Sequence, residues 1–228
     1  MEKLGARSKA NSYRNKSVVC LLVGVVLFFL SFGYALFFIF AIISIAIGAY
    51  FWKKTETWHI GAEGEEAVIR ALEHLDSSFR VFHDIVLPGE RQNIDHVVVG
   101  PAGTFVLETK NLHGIIKCYE DNWSRKKVGR RGTIYPANIG NPSKQAKRNA
   151  VVLKNWLQSE NIDVGYIVAV VVFTNEDTKL KLVKPTVKVV HVDDLLGVFN
   201  SKSNFKMTNE NIESVSAKLY QLKDFATG

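Results

Sequence analysis

Asn93-Ile94-Asp95-His96-Val97-Val98-Val99-Gly100-Pro101-Ala102-Gly103-Thr104-Phe105-Val106-Leu107-Glu108-Thr109-Lys110 reads as two strands and a turn. Asn93 to Val99 and Thr104 to Thr109 are rich in β-formers. Gly100 to Gly103 is a short connection of turn residues, so the two runs should pair as an antiparallel hairpin. Side chains alternate along a strand, which puts Glu108 and Lys110 on one face and Thr109 on the other. Pairing through the turn brings Asp95 to the same patch. By spacing alone the three form either an exposed salt-bridged face or a charged site. Ile94, Val97, Val98, Val99, Phe105, Val106 and Leu107 make both strands look central, and charges on a buried strand need partners or a metal. Two carboxylates beside an ammonium suit Mg²⁺, whose remaining positions are filled by water and substrate phosphate. The lysine can orient or deprotonate a water, or offset charge on a phosphoryl group.

Outward from this hairpin, Ile60 to Leu75 has helical spacing, with Val68, Ala71, Leu72 and Leu75 as its apolar stripe. Phe79 to Leu87 reads as a strand ended by Pro88-Gly89, and Gly114 to Tyr119 as another. Residues 120–141 read as loop with at most a minor hairpin. Pro142 opens a helix to Leu157 with Ala146, Ala150, Leu153 and Leu157 inward. Tyr166 to Phe173 is an almost unbroken apolar strand, the pattern of burial on both faces. Thr186 to His191 is a strand, Val192 to Phe199 a short helix and Asn209 to Leu222 an amphipathic one. The expected fold is a mixed α/β sandwich with helices covering a central sheet.

Val18 to Phe51 contains no Asp, Glu, Lys, Arg or His. As one helix this stretch would be ~51 Å long, against a hydrocarbon core of ~30 Å. Folded at Ser31-Phe32-Gly33-Tyr34, it gives two spans near the minimum length. Lys3, Arg7, Lys9, Arg14 and Lys16 precede the run and Lys53 and Lys54 follow it, so the positive-inside rule favours cytoplasm at both ends. A single tilted anchor is the alternative, and would export the rest. A signal peptide fits poorly, because bulky Tyr50-Phe51-Trp52 follows where small residues would be cleaved. The organisation expected is a basic cytoplasmic arm (1–17), a transmembrane helical hairpin (18–52), a linker (53–59), a core (60–175), and a C-terminal strand and helices that complete the domain (176–228). Cys20 and Cys118 cannot build a disulfide framework or a four-ligand zinc site.

The net charge of +7 is concentrated in two places, the basic arm and the stretch from Lys117 to Lys154. The latter holds ten basic residues against Glu120 and Asp121. Such a stripe suits a polyanion, either nucleic-acid phosphate or anionic lipid headgroups. Arg125, Lys126, Lys127, Arg130, Arg131, Lys144, Lys147 and Arg148 are the candidate nucleic-acid contacts. The cluster from Lys126 to Arg131 lacks interleaved aromatics and should contact backbone rather than bases.

Gly61-Ala62-Glu63-Gly64-Glu65, the Asn93–Lys110 hairpin, Asn141-Pro142 with Gln145, and the strand closing at Val172-Phe173 occur together and in order. In these the chain resembles the nuclease-related domain (NERD) family of the PD-(D/E)xK nuclease superfamily. The resemblance covers about residues 60 to 173. It implies a restriction-endonuclease-like mixed sheet flanked by helices, here preceded by the transmembrane hairpin. It also implies a membrane-anchored, Mg²⁺- or Mn²⁺-dependent nuclease acting on DNA, or else on RNA. Asp95 and Glu108 become metal ligands and Lys110 the water-activating or phosphate-stabilising residue. Glu65 matches an acidic residue that completes the metal site or holds Lys110, and Gln145 a polar residue that bonds phosphate or the catalytic group. Read without the resemblance, Glu65 is a helix-dipole partner and Gln145 an exposed amide. Ile94 stands where the superfamily name has proline, a change that removes no ligand. A rival of a different class is a non-catalytic, membrane-tethered module that binds nucleic acid or protein on the same fold. His83, His96, His113 and Cys118 read as structural.

Overall fold

The computed structural model describes residues 5–31, 36–129, 131–200 and 206–226. It divides into two compact units, residues 1–63 and 64–228.

In the first unit, α1 (Gly5–Leu30) and the leading part of α2 (Leu36–Leu72) are each long and apolar enough to cross a membrane. They run antiparallel. The Ser17 hydroxyl donates to the Gly48 carbonyl at 2.8 Å, and the Ser44 hydroxyl to the Cys20 carbonyl at 2.7 Å. Small residues line the seam, with Ala10, Ser17 and Ala41 buried, and a Cβ on Gly24 would fall 2.8 Å from Ile45. Close backbone approach through small side chains, with hydroxyls bonded to carbonyls across the seam, is how helices pair where no water drives them together. Outward-facing Val19, Leu22, Val26 and Phe29 are each more than half exposed, a continuous apolar surface. Phe32, Gly33 and Tyr34, expected in the turn, lie outside the described residues. Residues 53–59, expected as a linker, are instead helical within α2. No glycine or proline interrupts them, so nothing breaks the hydrogen-bond ladder.

In the second unit one sheet has the order β1 (Arg80–Val86), β2 (Asn93–Gly100), β3 (Gly103–Lys110), β7 (Ile167–Phe173), β9 (Lys188–His191). The first three strands are antiparallel neighbours, while β7 runs parallel to β3 and β9 to β7. The β2–β3 turn places Gly103 at φ +122°, a conformation only glycine adopts freely. Alternation sorts the side chains. Val97, Val99 and Val106 pack with Ala146, Leu153 and Leu157 of α3 (Pro142–Ser159) and with Ile212, Val215 and Leu219 of α5 (Asn209–Ala226). Val98, Phe105 and Leu107 pack with Val68 and Leu72 of α2 and with Leu195 and Phe199 of α4 (Leu195–Phe199). Helices therefore cover both faces, and the central strands are apolar on both sides, as the sequence predicts.

A second sheet has the order β6 (Ile134–Ala137), β5 (Asn122–Val128), β4 (Gly114–Tyr119), β8 (Thr178–Val183). It corrects two expectations. The hairpin within residues 120–141 is not minor, since β5 runs for seven residues and joins β6 to β4, and β8, parallel to β4, has no counterpart among the strands expected. The strands are fixed by their inner face. Trp123 tilts against Phe173 and its indole donates to the Ser143 hydroxyl at 2.8 Å, so burial overrides a composition rich in charge and glycine. Pro136 fits because β6 is an edge strand.

Candidate functional site

The β2–β3 ladder runs from Gly100–Gly103 to His96–Leu107, one step short of Asp95 and Glu108. Beyond that last pair, the Thr109 backbone N–H donates to the Asp95 carboxylate at 2.8 Å. A side chain thus takes the place of a ladder carbonyl and holds Asp95 against the end of β3. Glu108 is only 5% exposed. One of its oxygens accepts from Lys110 Nζ at 2.6 Å and the other from the Asn149 amide of α3 at 3.5 Å. Asp95, Glu108 and Lys110 therefore meet, as the hairpin spacing predicts.

The electrostatics of the cluster are unbalanced. Burial, then the charge of Glu108, pushes the Asp95 carboxyl up to about 8; Glu65 adds to the rise, while the Thr109 N–H and Lys110 oppose it. One ammonium does not neutralise the acids gathered here, so at neutral pH the site favours a proton or another cation. Among the described residues no three His, Cys, Asp or Glu side chains converge as a metal cage. Two carboxylates are fewer than a closed structural site uses, and a hard divalent cation held by them would take its remaining ligands from water and phosphate.

Glu65 enters through its charge on Asp95. Its helix approaches the sheet closely at Gly64, where a Cβ would sit 2.7 Å from Asn111 Cβ and 2.9 Å from Thr174 Oγ1. Gln145 is exposed in the first turn of α3. The amide that reaches Glu108 belongs to Asn149, one turn later, which sequence reasoning missed. The available signal was a polar residue inside the apolar stripe, between Ala146 and Leu153 and next to Ala150.

The basic candidates divide. Arg125 is buried, donating to the His113 carbonyl at 2.9 Å and toward the Asn138 carbonyl at 3.5 Å, so, contrary to the expectation of a phosphate contact, it braces loops. Lys147 is paired with Asp121 at 2.7 Å, and Arg148 with Glu90 and Gln92. Lys126, Arg131 and Lys144 are exposed and Lys127 is half-buried. Burial, with the charges of Lys127 and Arg125, lowers His113 below its ordinary value, so Lys127 lies near the loop that follows Lys110. Arg130 lies outside the described residues. His83 and His96 face each other across β1 and β2 with Nδ1 atoms 2.8 Å apart, and His96 is fully buried, a structural placement.

The model of the nuclease-related domain family, NERD, matches residues 60–174, half of the chain. The chain belongs to the nuclease-related domain family. Its NERD region runs from the helix carrying Glu65 to the end of β7, and contains Asp95, Glu108, Lys110 and Asn149. A relative in Bacillus anthracis, described as an uncharacterized protein, is 27% identical over 172 residues, covering 72% of this chain and 76% of the relative. No solved structure matches.

Proposed function

We propose that this NERD protein is a membrane-anchored, divalent-metal-dependent nuclease that hydrolyses phosphodiester bonds, in DNA before RNA, on the cytoplasmic side. The observation that carries the reading is the convergence of Asp95, Glu108 and Lys110 at the edge of a buried hairpin with more negative than positive charge. Asp95 and Glu108 would hold Mg²⁺ or Mn²⁺, with Glu65 as a further acid nearby. When bound, the ion supplies Lewis-acid polarisation of a phosphoryl oxygen and lowers the pKa of a water.

The remaining work belongs to the chain. Thr109 N–H and Asn149 fix the directions of the two carboxylates. Lys110, bonded to Glu108, presents its ammonium where a water is oriented or phosphoryl charge develops, a kind of stabilisation that is strong in a site shielded from water. Lys127, Arg131 and Lys144 offer cations to the phosphate backbone, contacts that position a strand without reading its sequence. Two apolar helices flanked by lysine and arginine keep the domain at the membrane with both ends inside.

The test uses the full chain in detergent or vesicles. Cleavage of DNA or RNA should require Mg²⁺ or Mn²⁺, stop with EDTA, and fall by ~10²–10⁴ in Glu108→Ala. Nucleic-acid binding that survives replacement of Asp95, Glu108 and Lys110, without metal-dependent cleavage of any substrate, would establish the binding-module reading instead.

A further inference from the structure

The outer face of the second sheet gathers lysines that the sequence keeps apart. Across β8, β4 and β5, one row is Lys179, Ile115 and Lys126; the next is Lys181, Lys117 and Ser124; the third is Val183, Tyr119 and Asn122. All are exposed except half-buried Ile115. The opposite face carries Leu180, Ile116 and Trp123 and packs into the core. The outer rows hold four lysines, no arginine and no acid. Glu120, Glu176 and Asp177 lie outside them, in the turns at the ends of the strands.

Lys117 stands directly opposite Lys181 on neighbouring parallel strands. Strands lie ~4.8 Å apart, and like charges facing each other across a sheet destabilise it. An arrangement that costs the isolated domain stability is relieved by an anionic surface laid over it.

We propose that this face docks on the anionic headgroups of a lipid bilayer. Three observations favour lipid over nucleic acid. Lys127, whose backbone borders Gly114 at the end of the loop after Lys110, is on the other side of β5 from Lys126, so a strand bound at the candidate site does not need this face. Lysines on a sheet give dispersed point charges without the bidentate fork of arginine, matching a headgroup layer rather than fixed phosphates. Tyr119 beside Val183 ends the face with half-exposed apolar surface, and tyrosine is enriched at the membrane interface. The proposal rests on the membrane part of the functional reading, because two spanning helices hold the domain where such a surface is always within reach.

The full chain would be reconstituted into phosphatidylcholine vesicles, with or without phosphatidylglycerol. It would then be treated with a membrane-impermeant amine-acylating reagent and each lysine read by mass spectrometry against exposed Lys206 of the same molecule. Lys117, Lys126, Lys179 and Lys181 should be selectively protected in the phosphatidylglycerol vesicles. In the Lys117→Gln/Lys181→Gln chain, protection of Lys126 and Lys179 should fall, the docked-to-undocked ratio dropping about fivefold for each lysine removed. Equal labelling in both vesicles would make this a solvated face and overturn the proposal. Protection in phosphatidylcholine vesicles by an added DNA duplex alone would overturn it in favour of nucleic acid. Failure of the chain to float with either vesicle would remove the membrane reading itself and leave the cleavage test untouched.

Discussion

Replacing Asp95 with asparagine should make the metal-free protein more stable at neutral and alkaline pH. The wild-type carboxyl sits at about 8 in the fold against an ordinary 3.8, raised first by burial and then by Glu108. A group whose pKa is higher in the folded state keeps its proton there while the unfolded chain releases it, so stability is full below about pH 4 and is lost as pH rises toward 8. About three pH units of that window lie below neutrality, and at ~1.4 kcal/mol each they amount to ~4 kcal/mol. Asparagine removes this cost and its amide oxygen can still accept from Thr109 N–H. In thermal melts of the full chain in mild detergent with EDTA, Asp95→Asn should equal wild type near pH 4. It should exceed wild type by roughly 8–16 °C at pH 7, on the usual scale of ~2–4 °C per kcal/mol for a domain of this size. Adding Mg²⁺ should raise the wild-type melting temperature and not the variant's, because only the wild type has the charge to bind it. A variant that melts below wild type at pH 7 in EDTA would refute the charge imbalance from which the site is argued.

Gly64→Ala should cost ~1–3 kcal/mol, since its Cβ meets Asn111 and Thr174 within 3 Å, and should also weaken metal binding by displacing Glu65; denaturation and metal titration read the two effects. Asn149→Ala should lower metal affinity by ~10-fold or more while leaving substrate binding in EDTA unchanged, the effect of freeing one oxygen of Glu108 from its orienting donor. Protease added outside intact cells should spare residues 53–228; digestion from that side would contradict the two-span topology.

The central hairpin was legible because its signals agree: β-formers on both arms, turn residues between them and charges at one alternation. Asp95, Glu108 and Lys110 follow from that register. Of the second sheet, β4 is plain in the sequence, and β5 is obscured for a physical reason. Asn122 to Val128 offers only Trp123 as a large inward apolar group, so the strand is specified by contacts with Phe173 and Ser143, far away in sequence. Thr178 to Val183 alternates lysine with leucine, a period of two that marks β8 in the sequence. Arg125 looked like any other cation in a basic run; only the pairing of β5 with β4 shows that it points inward. Asn149 was obscured by the apolar stripe around it, whereas Gln145, picked out by the resemblance, stays at the surface.

The most direct test of the account pairs two readings on one sample of Lys110→Ala, namely Mn²⁺ binding followed by electron paramagnetic resonance and cleavage of a nucleic-acid substrate. If Asp95 and Glu108 hold the ion and Lys110 acts on the water or the phosphoryl group, the variant should bind Mn²⁺ with affinity near that of wild type and lose ~10²-fold or more in cleavage rate. Wild-type cleavage by the Lys110→Ala chain with its Mn²⁺ bound would contradict it.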